Sequence, residues 1–117
     1  MKKYIKHFSN EPNFKQDGLE GYTSELECKN LSITLENVYK GHEKYTMNTE
    51  SYSIYYVIDG KGSFKIGAEI YDVGKNDIIE IPPKTKFVFK GKMKLLLIMN
   101  PPFDIKNDVE GEKNDIY

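Results

Sequence analysis

Short runs in which apolar and polar residues alternate, broken every few positions by glycine, proline or asparagine, make up most of the chain. From Ser53 to Pro83 aromatic and β-branched residues fill these runs, and the pattern predicts three strands in succession, a β-meander. Asp59-Gly60 followed by Gly62 offers the positive-φ residues of a tight hairpin. Gly67-Ala68 offers a second two-residue turn with glycine first. Upstream, Leu26, Cys28, Leu31, Ile33 and Leu35 alternate with Ser32, Thr34 and Glu36, which predicts half-buried strands with a turn at Lys29-Asn30. Val38 and Tyr39 continue that run to Gly41, where a polar loop, Gly41 to Glu50, opens. Downstream, Lys86 to Lys90 is a strand that turns at Gly91-Lys92 into Met93 to Met99, a run apolar on both faces and so covered on each side. Asn100-Pro101-Pro102-Phe103 ends it, because proline gives no N–H to a ladder.

Residues 1–21 mix charge with scattered apolar side chains. They form an irregular lead-in, or a strand added to a sheet edge, in this chain or on a partner subunit. The tail from Asp104 to Tyr117 holds five acids and two lysines, and is a mobile terminus or a strap laid over the domain. No segment offers three turns of helix. Eight to ten short strands therefore predict an all-β barrel or sandwich over residues 22–104.

At 117 residues, with 38% hydrophobic and 30% charged content, the chain has the makings of one soluble domain. No apolar run approaches the roughly 20 residues of a membrane-spanning helix, so no membrane partner is expected. The basic start, Met1 to His7, leads into polar sequence and not into an apolar stretch, which argues against a secretory signal and for the cytoplasm. Cys28 is the only cysteine, so no intrachain disulfide forms, and it is expected to be an inert packing residue. All 17 basic residues are lysine and the formal net charge is −1. Without arginine, the best side chain for clamping phosphates, a nucleic-acid partner is not expected.

Two stretches carry a resemblance. Tyr55-Tyr56-Val57-Ile58-Asp59-Gly60-Lys61-Gly62-Ser63-Phe64 resembles the close of the first cupin motif, an aromatic-rich strand entering a Gly-x-Gly hairpin. Asn76-Asp77-Ile78-Ile79-Glu80-Ile81-Pro82-Pro83-Lys84-Thr85 resembles the second, and Asn100-Pro101-Pro102-Phe103-Asp104 the end of small single-domain members. The resemblance spans roughly Tyr39 to Asp104 and implies a jelly-roll barrel, the double-stranded β-helix, usually a homodimer. Most relatives hold a divalent metal at the barrel mouth on three histidines and a glutamate. The corresponding positions here are Ser53, Met47 and Thr49 (or Thr46 and Asn48), and Phe87. None binds a transition metal well, so neither a metal nor another cofactor is expected at that site. A relocated site would have to use His42, Glu43, Glu50 or Glu80.

By the same resemblance the Ser53 face of its strand lines the cavity. Ser53, Tyr55, Phe87 and Phe89, with Tyr45 and Asn48 from the mouth, become candidate ligand contacts, an aromatic wall with a few hydroxyls suited to a small, mostly neutral ligand such as a sugar derivative. His42 is expected to be a solvated loop residue and Glu80 to point out of the sheet. If the domain is an enzyme, Glu50, His42 and Tyr55 are the candidate acids and bases of an isomerase, epimerase or lyase acting on a small carbohydrate or carboxylate. The principal expectation is a metal-free barrel that binds a small metabolite; a third is a dimeric assembly or regulatory module.

Overall fold

In a computed structural model of the chain, which describes residues 4–117, nine antiparallel strands form one continuous hydrogen-bonded sheet: β1 (Phe14–Gln16), β2 (Leu19–Thr23), β3 (Ser32–Val38), β4 (Lys44–Asn48), β5 (Tyr52–Ile66), β6 (Glu69–Gly74), β7 (Ile78–Ile81), β8 (Phe87–Asn100) and β9 (Asp108–Lys113). Two long strands organise it. β5 and β8 pair from Tyr52↔Asn100 to Ile66↔Phe87. The first half of β5 also pairs with β7 and the second half with β6, while β8 pairs with β3 at one end and β4 at the other. The sheet curls over on itself, so that Tyr55 of the first half of β5 meets the rings of Phe64 and Phe89 from the opposite layer at 5.3 and 5.6 Å. This is the expected all-β jelly roll.

Two predicted turns are bends within single strands. Asp59-Gly60-Lys61-Gly62 makes no hairpin. It carries a bulge between Val57 and Asp59, and β5 continues to Ile66. The extra residue, Ile58, switches the inward positions from odd (Ser53, Tyr55, Val57) to even (Phe64). Likewise Gly91-Lys92 is no turn but the midpoint of β8, where Gly91 faces Gly62 across the ladder. The Gly67-Ala68 turn does form, joining β5 to β6 with Gly67 at φ 59°.

The facing of β3 is the reverse of the alternation rule. Thr34, Glu36 and Val38 point into the core, while Ile33 and Leu35 lie half-buried on the outside beside Ile98 and Leu96 of β8. Residues 24–31 hold no strand, and Cys28 is exposed, not packed. The N-terminal stretch supplies β1 and β2, with β2 pairing β3 inside the same chain. The tail is a strap. A 3-10 turn at Ile105–Asn107 leads into β9, which pairs with β4, a strand inside the predicted 41–50 loop. Among the described residues no helix is long and apolar enough to cross a membrane.

Candidate functional site

Between the layers lies a cluster of Leu19, Val38, Tyr55, Val57, Phe64, Ile79, Ile81, Phe87, Phe89, Met93, Leu95, Leu97 and Met99, all buried. Burial of this apolar surface is the main force holding the layers together. Three titratable side chains are carried in with it. Tyr55 enters from β5, opposite Ile79 and Leu97. Glu36 enters from β3, opposite Leu95, and is 2% exposed. His42 enters from the connection between β3 and β4, its ring 3.9 Å from that of Phe89 and 5.8 Å from that of Phe87.

His42 is therefore not a solvated loop residue. Gly41 forms a bridge to Lys90, and the His42 N–H donates to the Phe89 carbonyl at 3.1 Å, which folds the connection inward over β8. The strap then locks it. Asn114 Nδ2 donates to the carbonyls of His42 (2.9 Å) and Phe89 (3.1 Å), its N–H donates to Glu43, and the Tyr117 hydroxyl donates to the His42 carbonyl at 2.6 Å. The backbone of His42 is thus fully engaged while its ring Nδ1, buried, has no partner.

Burial sets the charge state of all three groups. It pushes His42 down to about 3 and Glu36 up to about 8, so both are uncharged at neutral pH. Tyr55 is raised well above its ordinary value, first by burial and then by the nearby Glu36 and Asp108 carboxyls. Asp108, at the start of β9, is itself raised by burial, partly offset by a hydrogen bond from Asn48. Like His42 Nδ1, the Glu36 Oε1 atom is buried without a partner. Buried polar atoms are nearly always paired, so these two open ones at the aromatic interior are exceptions that ordinary packing does not account for.

The other sequence candidates divide. Ser53, Phe87 and Phe89 are buried, as Tyr55 is, and the two phenylalanines pack with Tyr55 in the interior cluster. Tyr45 is buried but outside the interior cluster, its hydroxyl donating to Asp115 of the strap and its ring under the Lys65 and Lys86 ammonium groups. Asn48 accepts from the N–H groups of Glu50 and Ser51 and donates to Asp108, which spends its side chain on the β4–β5 turn. Glu50 and Glu80 are exposed. Glu36, which the sequence assigned to the outer face, is the residue that reasoning missed. The signal that could have found it is the apolar character of both faces of β8, since a strand beside it cannot be oriented by its own alternation alone.

A metal ion does not fit the residues present. Phe87 packs in the aromatic cluster, Ser53 offers one hydroxyl, and among the described residues no three His, Cys, Asp or Glu side chains are grouped to hold an ion. Two surface depressions of about 370 and 490 Å³ reach Met93 and Ile79 of the cluster from outside, and neither is lined by Glu36, His42 or Tyr55.

Residues 33–88 match the AraC-like ligand binding domain. An uncharacterized protein of Methanocaldococcus jannaschii is 35% identical over 66 residues, which is 53% of this chain and 50% of that protein, so the chain spans about half the length of this relative. Among solved structures, a variant of Streptomyces Pac13 with uridine is similar with a TM-score of 0.88 at 23% identity, covering 96% of this chain and 93% of that one. Pac13 is described as a nucleoside dehydratase. KdgF from Halomonas sp. gives 0.73 at 14% identity over 85% of this chain and 96% of its own. Salicylate 1,2-dioxygenase from Pseudoaminobacter salicylatoxidans gives 0.66 at 15% identity, over 76% of this chain and 26% of its own. The curled antiparallel sheet, with β5 and β8 at its centre, therefore has the cupin-like barrel fold that these solved structures share.

Proposed function

We propose that the interior between the layers is a binding chamber, which takes up a small neutral ring molecule bearing hydroxyls, a nucleoside or a sugar, through side chains and not through a metal. The observation that carries this is the pair of buried, unpartnered polar atoms, His42 Nδ1 and Glu36 Oε1, in an aromatic chamber that also holds the Tyr55 ring. Aromatic walls stack on a flat ring, and a few fixed polar groups read its edge. The similarity to a dehydratase structure with uridine supports the nucleoside as the first molecule to try. Titration calorimetry with uridine and a panel of neutral sugars is expected to give saturable binding. His42→Gln and Tyr55→Phe should each weaken it by about tenfold, one hydrogen bond apiece. No heat and no perturbed signals from any of these compounds would end the proposal.

A second reading, a lyase that removes water, is favoured by the buried His42 Nδ1, which no group among the described residues occupies. On a substrate with a carbonyl beside the reacting carbon, which acidifies its C–H, the neutral imidazole takes that proton while the Tyr55 hydroxyl hydrogen-bonds the oxygen that leaves from the next carbon. The C–H and C–O bonds break, a C=C bond forms, and the imidazolium proton goes to the departing hydroxide to give water. Turnover of the bound compound followed by proton NMR separates this from binding alone.

The expected homodimer belongs to the same proposal. Ile33, Ile98 and Ile54 form one row on the outer face of the first layer, and Leu35, Leu96 and Tyr56 the next, all half-buried. A second copy would cover them. Ile98→Glu should halve the mass seen by light scattering, and a wild-type chain already monomeric at micromolar concentration would remove this part.

A further inference from the structure

Glu36 is the only carboxylate buried among the described residues. Its neighbours across the ladder are Gly21 on β2 and Leu95 on β8, and Leu95 in turn faces Val57 on β5. Along β3 the inward positions on either side are Thr34 and Val38. A leucine at this position would continue the apolar row. The carboxyl instead carries the full desolvation cost of a polar group with one oxygen unpaired, and nothing within the fold repays it. The partner that would repay it must come from outside the chain.

We propose that Glu36 is the specificity-determining group of the chamber: its carboxyl pairs with a neutral edge that sets an N–H beside a C=O, and it turns away ligands that carry phosphate or carboxylate. This rests on the reading that the chamber takes up a ligand at all. In the uncharged state that burial imposes up to about pH 8, the carboxyl offers one O–H donor and one C=O acceptor side by side. An amide-like edge, such as that of a uracil ring, satisfies both at once. An anion finds no counter-charge, because among the described residues no lysine is buried and His42 is neutral. It would also face an acid whose own ionisation it opposes.

The experiment compares uridine, 3-methyluridine and uridine monophosphate by calorimetry on the full chain, as wild type, Glu36→Gln and Glu36→Leu. In the wild type, methylation of the ring N–H and addition of the phosphate should each cost at least tenfold in affinity. Glu36→Gln keeps a donor and an acceptor, and should hold uridine within about threefold of wild type. Glu36→Leu should lose at least thirtyfold while raising the melting temperature, since it relieves the burial of an unpaired carboxyl. That opposite movement of stability and affinity is what a merely structural glutamate would not produce. A folded Glu36→Leu protein that binds uridine as tightly as wild type, or one that melts lower, overturns the role of Glu36 alone. A wild type that binds neither nucleosides nor sugars overturns the ligand reading and the inference together.

Discussion

The unfolding free energy should be level between about pH 4.5 and 6.5 and fall on either side, with Glu36→Gln abolishing the alkaline fall and His42→Gln reducing the acid one. The two groups act in opposite directions. The Glu36 pKa is raised from 4.5 to about 8 in the folded state, so between those values the folded chain holds a proton that the unfolded chain has released, and stability drops as pH rises. The His42 pKa is lowered from 6.5 to about 3, so between those values the unfolded chain holds the extra proton, and stability drops as pH falls. Each contributes about 1.4 kcal/mol per pH unit inside its own window. Where the windows overlap, from 4.5 to 6.5, the slopes cancel.

Outside the overlap each group acts alone, and each outer arm is worth about 2 kcal/mol. The alkaline arm is the cleaner one. Glu112 and Asp115, lowered chiefly by hydrogen bonds from Lys86 and Tyr45, add only to the acid side, and both lie on the exposed strap. Of the other titratable groups near the interior, Tyr55 is held protonated far above this range, and Asp108, raised by burial from 3.8, acts in the same direction as Glu36. Urea titrations at half-unit pH intervals measure the profile. An alkaline slope that survives Glu36→Gln would mean that the carboxyl ionises freely inside the fold.

Why Glu36 escaped the sequence while the barrel did not has a physical answer. Strand existence follows from β-branched and aromatic runs and from proline and glycine breaks, which are local properties. The strands holding Phe87 and Phe89 and the alternation of Ser53, Tyr55 and Val57 were therefore legible, whereas only the family resemblance said that this side faces inward. Facing is not local when both sides of a strand are apolar. Ile33 and Leu35 continue a half-buried outer row with Ile98, Leu96, Ile54 and Tyr56, so the alternation of β3 points to that row and not to the chamber. His42 was illegible for a related reason: its burial depends on Asn114 and Tyr117, more than 70 residues downstream in a tail whose charge suggests solvent. Likewise, Gly60 and Gly91 signal bends as clearly as turns, and only the register of β5 on β8 distinguishes the two.

Replacing Gly91 by alanine is expected to cost about 3–5 kcal/mol, enough to take much of a small domain's typical stability of about 5–15 kcal/mol. Gly91 sits at φ 128°, a conformation that a side chain strains by about 1–3 kcal/mol. A Cβ there would also stand 2.6 Å from both Gly62 Cα and the Lys61 carbonyl oxygen. These are backbone atoms, so no rotamer change relieves the clash. Relief requires β5 and β8 to part at the bend, inside a ladder paired on both sides of it. The control is Gly67→Ala. Gly67 also has positive φ, at 59°, but nothing lies within 4 Å of the added carbon, so the conformational strain acts there without the collision. In urea the midpoint of Gly91→Ala should fall by about 2–3 M, and that of Gly67→Ala by less than half as much. Equal losses would show that close approach of the strands is not what the glycine serves. The bend also sets how the Tyr55 half of β5 packs on its Phe64 half, where the two rings meet edge to face at 5.3 Å. If the interior takes up a ligand as proposed, a folded Gly91→Ala protein should bind it more weakly, although residue 91 itself contributes nothing to the aromatic cluster.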